Sequence, residues 1–102
     1  MLKLGVLGST GRMGVHVMSL ATGQYADRVS VTAKVTRGGS IDTLLGCDVV
    51  IDFSSPEAIS AAVDAALEAG KKSPAWVVGS TGLGDGQRER LTRLAKATPV
   101  LV

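Results

Sequence analysis

Gly8-Ser9-Thr10-Gly11-Arg12-Met13-Gly14 follows directly on the apolar run Leu4 to Leu7, and no other stretch restricts the fold of this chain as much. A short buried strand that turns through glycines into a helix start is the opening unit of doubly wound α/β sheets, where the turn offers its backbone N–H groups to an anion such as a pyrophosphate. Each glycine has its own task. Gly8 lets the chain leave the strand sharply, Gly11 lets a phosphate approach the backbone, and Gly14 lets the first helix sit close on the sheet. The spacing is G-x-x-G-x-x-G rather than G-x-G-x-x-G. A ligand-free glycine turn between strand and helix has similar local needs, so the rest of the chain has to decide between the two readings.

Periodicity along the chain supplies that context. Leu2 to Leu7 reads as the first strand and Arg12 to about Ala21 as the first helix, with Met13, Val17, Leu20 and Ala21 at helical spacing and Gly23 closing it. His16 points away from that face and reads as a solvent-exposed side chain; Tyr25 follows in a loop with no obvious partner. Val29 to Thr36 is rich in β-branched residues and reads as the second strand. After Arg37-Gly38-Gly39, Ser40 to Leu45 leaves room only for a short helical crossover.

Asp48 to Phe53 is the third strand, apolar through its centre as in a strand covered on both faces. Ser55, Pro56 and Glu57 form a helix start, with a side-chain cap, a proline at the first helical position and an acid in the first turn. Ala58, Ile59, Ala62, Val63, Ala66 and Leu67 give that helix one apolar face, and Gly70 ends it. Lys71 to Pro74 is a loop, and Ala75 to Val78 is the fourth strand, which runs into Gly79-Ser80-Thr81-Gly82. A last helix from about Gly86 to Ala97 turns Leu91, Leu94 and Ala95 inward and Arg88, Arg90 and Arg93 outward as a solvated face. Pro99 to Val102 begins a fifth strand.

Strand and helix in alternation imply parallel strands joined by right-handed crossovers. The expected architecture is therefore an α/β, Rossmann-like doubly wound parallel sheet of about five strands in the order 2-1-3-4-5, a single domain over residues 1–102. The switch point falls between the first and third strands. Ligands bind such sheets at the carboxyl ends near that switch, so the loops after Leu7, Thr36, Phe53 and Val78 are expected to line one crevice.

Composition removes other classes. At 102 residues and 45% hydrophobic content the chain suffices for one core. Aromatics at 3% leave no stacking platform for single-stranded nucleic acid, and a net charge of +2 from scattered residues makes no nucleic-acid surface. Cys47, the lone cysteine, precludes an intrachain disulfide and reads as a buried structural thiol, in keeping with a reducing cytoplasm. No apolar run approaches the roughly 20 residues of a membrane helix, and no signal-peptide pattern is present, so the expectation is a cytoplasmic protein without membrane or nucleic-acid partners.

Three ordered stretches together carry a resemblance: Gly8 to Gly14, Asp48-Val49-Val50-Ile51-Asp52-Phe53-Ser54-Ser55-Pro56-Glu57, and Val78-Gly79-Ser80-Thr81-Gly82. Over almost its whole length the chain resembles the N-terminal domain of dihydrodipicolinate reductase, the 4-hydroxy-tetrahydrodipicolinate reductase of bacterial lysine and diaminopimelate synthesis, which uses NADH or NADPH. The resemblance implies that Gly8, Ser9, Thr10, Gly11, Arg12 and Met13 hold the pyrophosphate and that Phe53 and Ser54 lie near the nicotinamide. It further implies that Gly79, Ser80 and Thr81 match a Gly-Thr-Thr segment at the nicotinamide end, with Ser80 keeping the hydroxyl of a threonine. Thr36 and Arg37 fall where the family reads the adenosine ribose. An acid there would accept from a free 2′-hydroxyl, whereas here an arginine is offered to a 2′-phosphate, which leans the cofactor toward NADPH over NADH. A solvated turn residue is the competing reading of Arg37.

The chain departs from the family pattern in its short link between the second and third strands. It also carries neither the Asn-Phe-Ser segment that follows the fifth strand nor the substrate domain with its histidine pair, lysine and Ser-Gly-Thr cluster. The only histidine is His16, on the wrong element, so no residue here is a candidate catalytic acid. The expectation is a dinucleotide-binding domain, either part of a longer protein or a naturally short relative, that is inactive or nearly so by itself.

Two other readings stay open. A different Rossmann-type reductase would show a Tyr-x-x-x-Lys pair, which Tyr25 lacks, or an active-site cysteine, whereas Cys47 precedes a strand. A stand-alone nucleotide-sensing or interaction module would present a partner surface. The fifth strand, if it ends the sheet, leaves an apolar edge that leads to the expectation of a homo-oligomer through the C-terminal strand.

Overall fold

In the computed structural model, which describes residues 1–36 and 39–102, the central strand is the one that leads into the glycine turn. β1 (Leu2–Leu7) pairs in parallel with β2 (Val29–Val35) on one side and with β3 (Val49–Asp52) on the other. β4 (Ala75–Val78) and β5 (Val100–Leu101) complete a five-stranded sheet of order β2-β1-β3-β4-β5. This is the doubly wound architecture and strand order expected from the sequence, with the switch point between β1 and β3.

The helices form because their ends and faces agree. In α2 (Pro56–Ala69), the Ser55 hydroxyl accepts a hydrogen bond from the Ala58 N–H at 3.2 Å, and Gly70 closes the helix at φ 60°. Its face of Ile59, Ala62, Val63 and Ala66 is buried against the sheet, with Ala58 and Leu67 at the margin. α3 (Asp85–Leu94) packs beside it through Leu91 and Leu94. A 3-10 helix, Ile41–Gly46, makes the short crossover between β2 and β3 and buries Leu44 in the same layer. At the centre of this layer the indole N–H of Trp76 donates to the Ser73 hydroxyl at 2.9 Å. Cys47 is buried beside Thr32, as a structural thiol should be.

The opposite face of the sheet carries one helix, α1 (Arg12–Thr22). Leu4, Val6 and Ala21 are its buried core, with Val17, Met18, Val29 and Val31 packed around them. Leu4 pairs with Val31 but Gly5 with Ala33, so Thr32 is the extra residue of a β-bulge. The bulge reverses the alternation: Val29 and Val31 face α1, whereas Ala33 and Val35 face the α2 layer.

Several expectations need correction. Met13 and Leu20 are 48% and 49% exposed; the inward face of α1 is instead Gly14, Val17, Met18 and Ala21, because the helix is seated by the approach of Gly14 to the turn. β3 is covered on one face only to completion: Val50 and Asp52 are buried, while Val49 and Ile51 are half-buried on the α1 side. α3 begins one residue early and ends at Leu94, since the N–H groups of Lys96 and Ala97 turn back to carbonyls three residues earlier and leave Ala95 exposed. Arg90 is half-buried and forms an ion pair with Asp64 at 3.1 Å rather than standing free. Tyr25 has a partner, the Arg28 guanidinium, 6.0 Å from its ring centroid. A single 3-10 turn, Gly70–Lys72, takes in Lys71 and Lys72 of the expected loop before β4. Among the described residues no helix is long and apolar enough to cross a membrane.

Candidate functional site

A cleft of about 670 Å³ opens at the carboxyl ends of β1, β2 and β3. Its walls are Leu7, Gly8, Thr10 and Gly11 from the turn, Val35, Thr36, Gly39 and Ile41 from the next link, and Phe53, Ser54, Ser55, Glu57 and Ala58 from the start of α2. The loops after β1, β2 and β3 thus meet as the strand order requires.

The turn itself is built by two backbone approaches. Gly8 has φ 87°, and a Cβ there would lie 2.6 Å from the Phe53 carbonyl oxygen, so only glycine lets the β1 and β3 loops touch. Its N–H donates to the Val35 carbonyl at 2.7 Å, tying the turn to the end of β2 as well. Gly14 brings the first turn of α1 against the Gly8 carbonyl, where a side chain would collide with it.

Gly11 is different. It caps α1 with φ −74° and ψ 173°, a conformation open to any residue, and a Cβ there would meet only the Gly8 and Phe53 carbonyl oxygens at the ordinary distances of 3.5 and 3.8 Å. Among the described residues nothing demands glycine at this position. The cap offers no side-chain hydrogen bond, and the first turn of α1 carries no acid. Helix N-terminal N–H groups without a cap attract an anion, and the Arg12 side chain beside them adds a positive charge. The space over Gly11 and the chemistry of this helix end suit a phosphate group.

The residues singled out from the sequence divide into two groups. Gly8, Thr10, Gly11, Thr36, Phe53 and Ser54 share the cleft wall. Arg12 and Met13 are exposed on the first turn of α1, next to the wall, while Ser9 is buried with its N–H directed at the Val35 carbonyl. Arg37 lies outside the described residues. The loop after Val78 does not line the cleft, contrary to expectation: Gly79 lies against the Phe53 ring, Thr81 is exposed, and the Ser80 hydroxyl is buried against Asp52 at 2.6 Å.

Asp52, Ile41, Ser55, Glu57 and Ala58 were not read from the sequence as part of the site. The start of α2 could have been, since it follows β3 at the same carboxyl edge. Asp52 is fully buried, and its carboxylate oxygens accept from the N–H groups and hydroxyls of both Ser54 and Ser80. No pattern in the sequence links an aspartate to a serine 28 positions away.

Known proteins resemble this chain along nearly its whole length. A family model described as dihydrodipicolinate reductase, N-terminus, matches residues 2–102. The chain is 38% identical over 114 residues to a 4-hydroxy-tetrahydrodipicolinate reductase of Sulfurovum sp. (strain NBC37-1), covering 99% of this chain and 43% of that one. It is 35% identical over 113 residues to the protein of the same name from Aliarcobacter butzleri (strain RM4018), covering 99% and 44%. The chain therefore spans less than half the length of these relatives. The solved structure of an aspartate semialdehyde dehydrogenase from Francisella tularensis superposes with a TM-score of 0.65 at 18% identity, over 99% of this chain and 36% of the other, a likeness of fold alone.

Proposed function

The chain belongs to the dihydrodipicolinate reductase N-terminal family, and from that we propose that it is the pyridine-dinucleotide-binding unit of a reductase in lysine and diaminopimelate synthesis. The observation that carries the proposal is Gly11, a glycine that the fold does not need, at the uncapped start of α1 on the wall of the cleft. Gly8 to Met13 hold the pyrophosphate through backbone N–H groups and the Arg12 charge. Phe53 and Ser54, with Gly79 and Ser80 behind them and the exposed Thr81 following, set the nicotinamide end, and Thr36 and Arg37 take the adenosine ribose. With Arg37 following Thr36 in the sequence where an acid would read a free 2′-hydroxyl, NADPH is bound in preference to NADH.

When bound, the nicotinamide supplies a hydride; this chain's part is to bind and orient it. The substrate-binding and proton-donating residues are assigned to sequence outside these 102 residues. His16 stands exposed on α1 and does not line the cleft, which supports that assignment. The relatives named as 4-hydroxy-tetrahydrodipicolinate reductases point to that dicarboxylate as the substrate class of the longer protein.

Calorimetric titration of NADPH and NADH into the chain, beside Gly11→Val, tests the proposal. The wild-type chain is expected to bind, NADPH more tightly, and Gly11→Val to lose binding while folding normally, because the extended backbone at Gly11 accepts valine. Retained binding in the variant, or none in the wild type, overturns the assignment of the turn.

A further inference from the structure

We infer that Asp52 is a positioning residue for the nicotinamide end of the dinucleotide, an inference that rests on the reading just given. Asp52 ends β3 with no exposed surface, yet it is a carboxylate. Such a group is tolerated in an interior only where its charge is met by hydrogen bonds or a cation. Among the described residues the one ion pair is Arg90 with Asp64, on the far helices, so Asp52 is held by hydrogen bonds alone. One oxygen accepts from the Ser54 N–H at 2.9 Å and from the Ser54 hydroxyl. The other accepts from the Ser80 N–H at 3.2 Å and the Ser80 hydroxyl at 2.6 Å.

Each oxygen therefore serves one loop, and these are the two loops assigned to the nicotinamide end. Backbone contacts extend the same connection. The Gly79 N–H donates to the Asp52 carbonyl at 2.7 Å, and the Phe53 carbonyl abuts Gly8 in the phosphate turn. Hydroxyls that the residue types alone would offer to a ligand are turned inward to the carboxylate. Ser80 thus acts through Asp52 rather than by its own hydroxyl on the cofactor, and the carboxylate fixes how far the two loops stand apart. A general packing role would be met by a valine, which the neighbouring position Val50 and the paired Val78 use on the same face.

Titration of NADPH and of 2′-phospho-ADP-ribose, which lacks the nicotinamide, into the wild-type chain, Asp52→Asn, Ser80→Ala and Ser80→Thr tests the inference. Asp52→Asn and Ser80→Ala are expected to weaken NADPH about tenfold and leave 2′-phospho-ADP-ribose unchanged, and Ser80→Thr to bind NADPH as the wild type does. Equal weakening of both ligands, no weakening of either, or a Ser80→Thr variant as weak as Ser80→Ala overturns it. If Asp52→Asn does not fold, the two serine variants decide. A wild-type chain that binds neither ligand overturns the dinucleotide reading and this inference with it, whereas binding without the nicotinamide-specific loss overturns this inference alone.

Discussion

Gly14 sits directly beneath the carbonyl oxygen of Gly8, with no space between them for a side chain. This contact seats the start of α1 on the turn. Gly14→Ala is expected to destabilise the fold by about 3 kcal/mol, since the collision is with backbone that cannot swing aside. Gly11→Ala, only three residues earlier, is expected to change stability by less than ~1 kcal/mol. Urea unfolding followed by the fluorescence of Trp76 measures both. Equal losses would mean that the two glycines do one structural job.

The indole N–H of Trp76 donates a hydrogen bond to the Ser73 hydroxyl inside the α2 layer, and that hydroxyl in turn donates to the Pro74 carbonyl at 2.9 Å. Ser73→Ala leaves the indole unpaired where water does not reach, at an expected loss of about 1–3 kcal/mol. The same unfolding experiment checks it, together with the position of the Trp76 emission maximum, which should stay that of a buried indole.

Gln87 joins two helix starts. Its amide oxygen accepts from the Gly84 N–H at 2.7 Å, and its amide nitrogen donates to the Pro56 carbonyl at 2.9 Å and the Ser60 hydroxyl at 2.6 Å. Gln87→Ala is expected to cost about 1–2 kcal/mol, whereas Asp64→Asn, which breaks the more exposed pair with Arg90, should cost less than ~1 kcal/mol. Melting temperatures of the two variants side by side give the ranking, and the reverse order would refute it.

Arg37→Ala is expected to weaken NADPH about tenfold and to leave NADH unchanged, because only the former has a 2′-phosphate for a guanidinium to meet. Separate titrations of the two cofactors read the difference. A parallel loss for both would assign Arg37 to the turn rather than to the ribose.

What could be read from the sequence was what local chemistry determines. Ser55, Pro56 and Gly70 bound α2 because caps and glycine stops act over a few residues, and alternation with handedness gave parallel strands, whose order is one of those common to doubly wound sheets. What escaped depended on partners distant in the chain. The face of α1 could not be told from Met13 and Leu20, since the contact that orients the helix is made by a glycine that carries no apolar signal. The β-branched content that marked β2 as a strand could not show its faces, because the bulge at Thr32 exchanges them without changing the residue types. Asp52 had no role of its own within the expected strand Asp48 to Phe53; its burial exists only once Ser80 closes over it.

Every wall of the cleft lies between Leu7 and Ala58. During synthesis these residues leave the ribosome before β4, α3 and β5 exist, and β1, β2 and β3 can pair without any later strand. The residues after Ala58 touch the cleft only from behind, where Ser80 closes on Asp52 and the remainder of α2 carries the wall that its first turn presents.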